Sequence, residues 1–236
     1  MTSAPTPFGP PEGLTVEVVP GATAAESVQA DERLLRTGRP AVRVAVLADR
    51  TLSIGVAVSD RSPLLRRASA EGLPVVRRGT GGTSVVHRPG DIAWSIVLPR
   101  SDPRTGRDFV RAYGRLGGGP VEWIRSLGLE SHWGPPPGLL EEYCLLSARG
   151  EVLWSKEKVV GGAAQHATST TLLHHGILPR SVDRNLLDRL FGPVERGVWD
   201  RLGSLEELGI RTPPDRTATE LARAIVRSLT PPRAPA

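Results

Sequence analysis

Short β-rich runs crowd this sequence in pairs, and helices interrupt them irregularly. Residues 42–47 and 52–58 flank the turn residues Ala48, Asp49 and Arg50. Residues 83–87 and 92–98 flank Arg88-Pro89-Gly90-Asp91, a strong turn sequence. Residues 143–147, 151–154 and 158–164 read as one meander, with 171–178 as a further strand. Earlier in the chain, 14–19 and 73–77 are β-rich. Helices are expected from Thr23, which forms a capping box with Glu26, to about Arg36, with Gly38 as the stop, and over 63–70. A helix over 109–127 is broken by Gly117-Gly118-Gly119-Pro120. Two more follow, over 183–191 and over 217–229, the last with a capping box of Thr217 and Glu220. This is not a regular βαβ alternation, and no G-x-G-x-x-G follows the first strand, so a dinucleotide-binding doubly wound fold is excluded. The pattern predicts an α+β fold with a mixed, mainly antiparallel sheet flanked by helices.

The 236 residues suffice for one real core. Residues 1–13 are rich in proline and read as a disordered leader without the basic and apolar regions of a signal peptide; 231–236 read as a flexible tail. A single catalytic domain over 14–230 is the expected organisation. One cysteine, Cys144, excludes a disulfide scaffold, and no apolar run reaches 18 residues, which points to a cytoplasmic protein without a membrane span. Of the 30 basic residues only Lys156 and Lys158 are lysine. The arginines are scattered and nearly balanced by 25 acidic residues, which argues against nucleic-acid binding. The net charge of +5 remains available to steer acidic partner domains.

Four segments carry candidate chemistry. Arg77 and Arg78 precede Gly79-Thr80-Gly81-Gly82-Thr83 and, four residues on, His87. Glycines let backbone N–H groups approach an anion, and the arginines add forked donors for a phosphate or carboxylate. A tight turn with solvated arginines is the plain alternative. In the second segment, Lys158 precedes Gly161, Gly162 and Ala163 in a chain that otherwise uses arginine, which suggests a need for a compact point charge. Lys156 reads as a solvated turn residue. The third, His174-His175-Gly176, does not read as a metal site, because no ligand stands at the required spacing and H-E-x-x-H is absent. The fourth is Cys144, a buried hydrophobe unless a nearby cation favours its thiolate.

Together these segments resemble the lipoate branch of the biotin/lipoate protein ligase superfamily. Residues 77–91 resemble the signature R-R-x-S/T-G-G-G-x-V-x-H-D-x-G-N, with Thr83, Arg88 and Asp91 departing from it. Lys158, Gly161 and Ala163 match K-I-x-G-S-A, and His174-His175-Gly176 matches the H-H-G-T-L segment. The resemblance implies a ligase-like α+β catalytic domain of the class II synthetase type that attaches a lipoyl or octanoyl group to an acceptor lysine. Its implied acyl- or phosphate-binding residues are Arg77, Arg78, Thr80, Gly81, Gly82, Thr83, His87, Gly161, Gly162, Ala163, His175 and Gly176, with Lys158 catalytic. The implied chemistry that the sequence slightly favours uses lipoate, ATP and Mg²⁺ through lipoyl-AMP, and the double histidine and Gly90-Asp91 tilt toward it. The other is an ATP-independent octanoyl transfer from acyl carrier protein, in which Cys144 is the nucleophile and Lys158 its cation; the cysteine and the short stretch after Phe191 tilt that way. A non-catalytic lipoyl-domain binder is a third reading. Implied partners are lipoyl domains of 2-oxoacid dehydrogenases or the glycine cleavage H protein, acyl carrier protein, and a separate accessory subunit.

Overall fold

The computed structural model describes residues 13–105, 109–148, 150–192, 194–195 and 197–230, so most of the leader and the whole tail lie outside the described residues. In chain order the elements are β1 (Thr15–Ala22), α1 (Ala24–Thr37), β2 (Ala41–Leu47), β3 (Thr51–Ile54), α2 (Pro63–Ala70), β4 (Val75–Arg77), β5 (Ser84–His87) and β6 (Ile92–Pro99). Then come α3 (Phe109–Leu116), α4 (Gly118–Ser126), β7 (His132–Gly134), β8 (Glu151–Ser155), β9 (Lys158–Ala167), β10 (Thr171–Leu178), α5 (Arg184–Phe191), a 3₁₀ turn (Val198–Arg201) and α6 (Pro214–Leu229). Seven strands form one sheet in the order β1-β2-β6-β10-β9-β8-β7, and β4-β3-β5 form a small second sheet. All neighbours in the large sheet are antiparallel except β1 and β2. The expected α+β class and mainly antiparallel sheet are what the chain adopts.

Local chemistry accounts for the boundaries. Thr23 caps α1 by accepting from the Glu26 N–H while the Glu26 carboxylate accepts from the Thr23 N–H, and Gly38 ends the helix in the left-handed region at φ 64. Lys156 and Glu157 both have positive φ, 49 and 60, as a two-residue hairpin turn between β8 and β9 requires. That turn accounts for Lys156.

Three expectations fail. The run 52–58 stops being a strand at Ile54, because residues 55–58 form a turn in which the Val58 N–H donates to the Gly55 carbonyl and the Arg77 side chain donates to the carbonyls of Gly55 and Val58. Residues 143–147 are turns joined to β5 by one Ser84–Tyr143 bridge, not a meander strand. The α6 helix starts at Pro214, a favoured first-turn residue, so Thr217 lies inside it, fully buried, and donates to the Thr212 carbonyl instead of capping.

Two apolar clusters sandwich the large sheet. One joins Val42, Val44, Trp94 and Ile96 of the sheet to Ala112, Ile124, Leu221 and Ile225 of α3, α4 and α6. The other joins the small sheet, α2 and α5 through Leu52, Leu64, Leu187 and Trp199. Tyr143 belongs to this second cluster, edge-on to Phe191 and Trp199 at 5.3 and 5.9 Å between ring centroids. Its neighbour Cys144 is thereby anchored from the core side.

Candidate active site

A cavity of about 220 Å³ opens between α1, the 78–82 loop and the strands β6, β9 and β10. Leu47, Val85, Trp94, Leu145, Val152 and Ile177 give it mostly apolar walls, the character of a small-molecule pocket. Gly176 keeps it open: a Cβ there would come within 2.5 Å of the Trp94 ring and of the Gly162 carbonyl.

Cys144 lies on the wall of this cavity. Its N–H donates to the Ser84 carbonyl at 2.8 Å, and Ser84 Oγ donates to the Glu142 carbonyl, so the turn is tied to β5 on both sides of Tyr143. The sulfur accepts from the Thr83 N–H at 3.0 Å and from Arg78 Nη2 at 3.3 Å. Arg78 is buried, and its guanidinium also donates to the Gly81 carbonyl at 2.9 Å. It is the only lysine or arginine among the described lining residues. A Cβ on Gly82, whose φ is +83, would fall 2.9 Å from Arg78 Nη2 and 3.0 Å from the sulfur. The glycine is therefore what lets the cation and the thiol meet.

His175, on β10, bridges two other parts of the site. Its Nδ1 lies 2.7 Å from Asp31 Oδ2 and its Nε2 lies 2.9 Å from Thr80 Oγ1. Asp31 is acceptor-only as a carboxylate, so Nδ1 carries a proton, and in the neutral ring Nε2 accepts from the Thr80 hydroxyl. Asp31 is buried and also accepts from Ser95 Oγ at 2.5 Å. Tyr113 donates to the Ala163 carbonyl at 3.3 Å, and burial pushes its hydroxyl up to about 12, so it stays neutral. Two buried polar atoms on the cavity wall, His87 Nδ1 and Gln165 Oε1, have no hydrogen-bond partner among the described residues. In an apolar wall they are where a ligand's polar atoms would be met.

The cavity brings together nine of the residues expected from sequence: Arg78, Gly81, Gly82, His87, Cys144, Gly162, Ala163, His175 and Gly176. Thr80 and Thr83 join them through His175 and Cys144. Three stand apart. Arg77 pairs with Asp60 and clamps the neighbouring loop. Gly161 packs against the Ile177 carbonyl, which a Cβ would approach to 2.6 Å. Lys158 does not line the cavity; it faces Glu207 at 3.8 Å with its side chain 38% exposed. The cation beside Cys144 is Arg78, because the glycine loop folds back over the sulfur while Lys158 sits at the far end of β9. Asp91, one of the departures from the signature, accepts from the backbone N–H groups of Arg88 and Arg180 and holds the β5–β6 turn.

Asp31, Ser95 and Tyr113 were not anticipated. One signal was available for Asp31. Ala24, Ser27 and Asp31 fall on one stripe of α1, and a carboxylate on an inward stripe needs a buried partner.

The chain matches the family described as "Lipoyl protein ligase A/B catalytic domain" over residues 23–230. It belongs to that family. Among curated relatives, octanoyltransferase LipM of Geobacillus kaustophilus (strain HTA426) is 29% identical over 162 residues, 64% of this chain and 58% of that protein. Octanoyltransferase LipM of Exiguobacterium sp. (strain ATCC BAA-1283 / AT1b) is 30% identical over 169 residues, 66% of this chain and 60% of that protein. The chain thus spans less than two thirds of the length of these relatives. In fold it is similar to lipoate-protein ligase A bound with ATP, with a TM-score of 0.72, 23% identity and coverage of 92% of this chain and 84% of that one. The lipoate protein ligase of Thermoplasma acidophilum, described with its E2 lipoyl domain, gives a TM-score of 0.71 at 21% identity, covering 91% and 83%.

Two buried histidines of this family member set a pH dependence. Burial pushes His87 down to about 4 and His174 down to about 3, so both are neutral at neutral pH. The unfolded chain protonates them from about 6.5 downward, so stability is full above that value and is lost as pH falls toward 3 to 4. Asp91 acts in the opposite sense: burial raises its carboxyl to about 7, so its contribution is lost as pH rises from 3.8 toward 7. Two histidines outweigh one carboxyl on the acid side. The urea midpoint should fall between about pH 7 and about pH 4, while in His174→Phe, where His87 and Asp91 oppose each other, it should stay close to flat; equal slopes in the two proteins would contradict this.

Proposed function

We propose that this protein carries an octanoyl group from an acyl carrier protein thioester to the acceptor lysine of a lipoyl domain, through a thioester on Cys144 and without ATP. Residues 14–230 are the catalytic unit in this reading. The observation that carries it is the Cys144 sulfur, facing an apolar cavity and accepting from both the Arg78 guanidinium and the Thr83 N–H. A sulfur held as an acceptor by a cation and a backbone donor is prepared to attack a carbonyl carbon. The similarity to proteins named octanoyltransferase LipM supports the same reading.

In the first half-reaction the Cys144 sulfur attacks the thioester carbonyl, the bond to the carrier sulfur breaks, the thiol proton of Cys144 passes to that sulfur, and the carrier leaves as its thiol. The apolar walls hold the acyl chain and keep water from the new thioester. In the second, the acceptor amine attacks the octanoyl–Cys144 carbonyl and the cysteine leaves into the same two donors. The net charge of +5 favours encounter with acidic carrier and acceptor domains.

The ATP-dependent reading, which the sequence slightly favours, fits these residues less well. A triphosphate needs several cations or a metal, yet Arg78 is engaged by the loop and the thiol, while Arg77 and Lys158 face carboxylates outside the cavity. The deciding experiment offers the protein octanoyl–acyl carrier protein without ATP, or lipoate or octanoate with ATP and Mg²⁺, each with a lipoyl domain. Modification of the domain by the first mixture alone is expected. Modification only with ATP would sink the proposal, and binding without modification in either would support a non-catalytic role.

A further inference from the structure

We propose that His175, oriented by Asp31, is the base that takes the proton from the acceptor amine in the second half-reaction. The inference rests on the transferase reading of Cys144 and adds the residue that reading lacks. A lysine ammonium cannot attack a thioester until it has lost a proton. The cation that holds the sulfur, Arg78, cannot serve, because a guanidinium does not give up its charge at working pH.

His175 has the geometry for the task. Its Nδ1–H donates to the buried Asp31 carboxylate at 2.7 Å, which fixes the tautomer and leaves Nε2 as the basic nitrogen. The only described contact of Nε2 is the Thr80 hydroxyl at 2.9 Å, a rotor that can yield its place. No hydrogen bond links His175 to Cys144 among the described residues, so its basicity is not spent on the nucleophile. Once protonated, the ring is paired with a carboxylate already in place, so little reorganisation accompanies the transfer.

The position is equally specific. His175 lines the acyl cavity and also a second cavity of about 200 Å³. The second one carries Glu32, Arg36 and His166 beside the apolar Val28, Leu35 and Leu173. A histidine in the partition between two cavities can meet an acyl group on one side and, from the side that carries Glu32, an incoming amine on the other. In becoming an amide N–H, the ammonium gives up two protons. His175 Nε2 takes the first before attack and releases it to solvent. The second ends on the Cys144 sulfur as the C–S bond breaks and the C–N bond remains.

The test separates the half-reactions. His175→Gln and Asp31→Asn are loaded with octanoyl–acyl carrier protein and the acyl-enzyme is followed by mass spectrometry. A lipoyl domain is then added, or hydroxylamine, a nucleophile already neutral that needs no base. Transfer to the lipoyl domain is expected to slow by ~10²-fold or more beyond any change in loading or in hydroxylamine release from the same acyl-enzyme. Asp31 is a positioning residue, and the asparagine, which can donate to Nδ1 and reverse the tautomer, should act in the same direction. Should His175→Gln fail to fold, Asp31→Asn alone carries the test. Equal slowing of all three reactions would make the pair structural, and an unchanged transfer rate would remove His175 from the reaction; either overturns the inference. Failure of the unmodified protein to load at all overturns the Cys144 reading instead, and the inference with it.

Discussion

Replacing Cys144 by serine is expected to lower octanoyl transfer by ~10³-fold or more while leaving the fold intact. Serine occupies nearly the same space, and the donors around it, the Thr83 N–H and Arg78 Nη2, remain. What is lost is the more nucleophilic sulfur atom. A hydroxyl needs a base at hydrogen-bond distance to become a nucleophile, and His175 is bound to Thr80 and Asp31 rather than to Cys144. The change in stability should stay within about 1 kcal/mol, because the sulfur sits at a cavity wall and not in a packed core. Two measurements check this: the rate of lipoyl-domain octanoylation, and the absence of an octanoyl adduct on the intact protein. A serine variant that transfers at the original rate would refute covalent catalysis by this residue.

Arg78→Gln should have the next largest effect, on both activity and stability. The guanidinium reaches Ser53 Oγ at 3.4 Å, the Gly81 carbonyl at 2.9 Å and the Cys144 sulfur at 3.3 Å. Glutamine keeps one donor group and removes the charge. Loading of Cys144 should fall by ~10²-fold, and stability by about 2 kcal/mol, because buried acceptors lose a charged partner. The melting temperature should then fall by roughly 4–8 °C. Arg78→Lys tests charge against geometry. An ammonium cannot span the loop carbonyl and the sulfur as a planar fork does, so it should recover part of the stability and little of the rate. Loading at the original rate in Arg78→Gln would mean that the cation does not act on the sulfur.

The site was legible from sequence where it is made of contiguous segments. The glycine loop could be recognised because close approach of backbone to a ligand demands glycine, and Gly82 meets that demand between Arg78 and Cys144. His175-Gly176 could be recognised for a similar reason, since Gly176 packs against Trp94. The choice of cation was not legible. Lys158 stands 14 residues after Cys144 along the chain, which suggested neighbouring strands. The Cys144 segment instead forms a turn under β5, and Lys158 faces Glu207. Asp31 was missed because its partners, Ser95 and His175, lie 64 and 144 residues away. The false capping box at Thr217 failed for a local reason: Pro214 starts the helix three residues earlier.

The sequence alone determined the α+β class and most element boundaries, since these follow from local periodicity, turn chemistry and caps. It also determined, through its short motifs, the family to which the chain belongs. Only the tertiary structure decided which charge meets which reactive group. Arg78 rather than Lys158 holds the thiol, and Asp31 reaches across from α1 to fix His175. Electrostatic and proton-transfer partnerships depend on distances of about 3 Å. Those distances are set by how α1, the glycine loop, the Cys144 turn and β10 pack around one cavity, and spacing along the chain does not encode them.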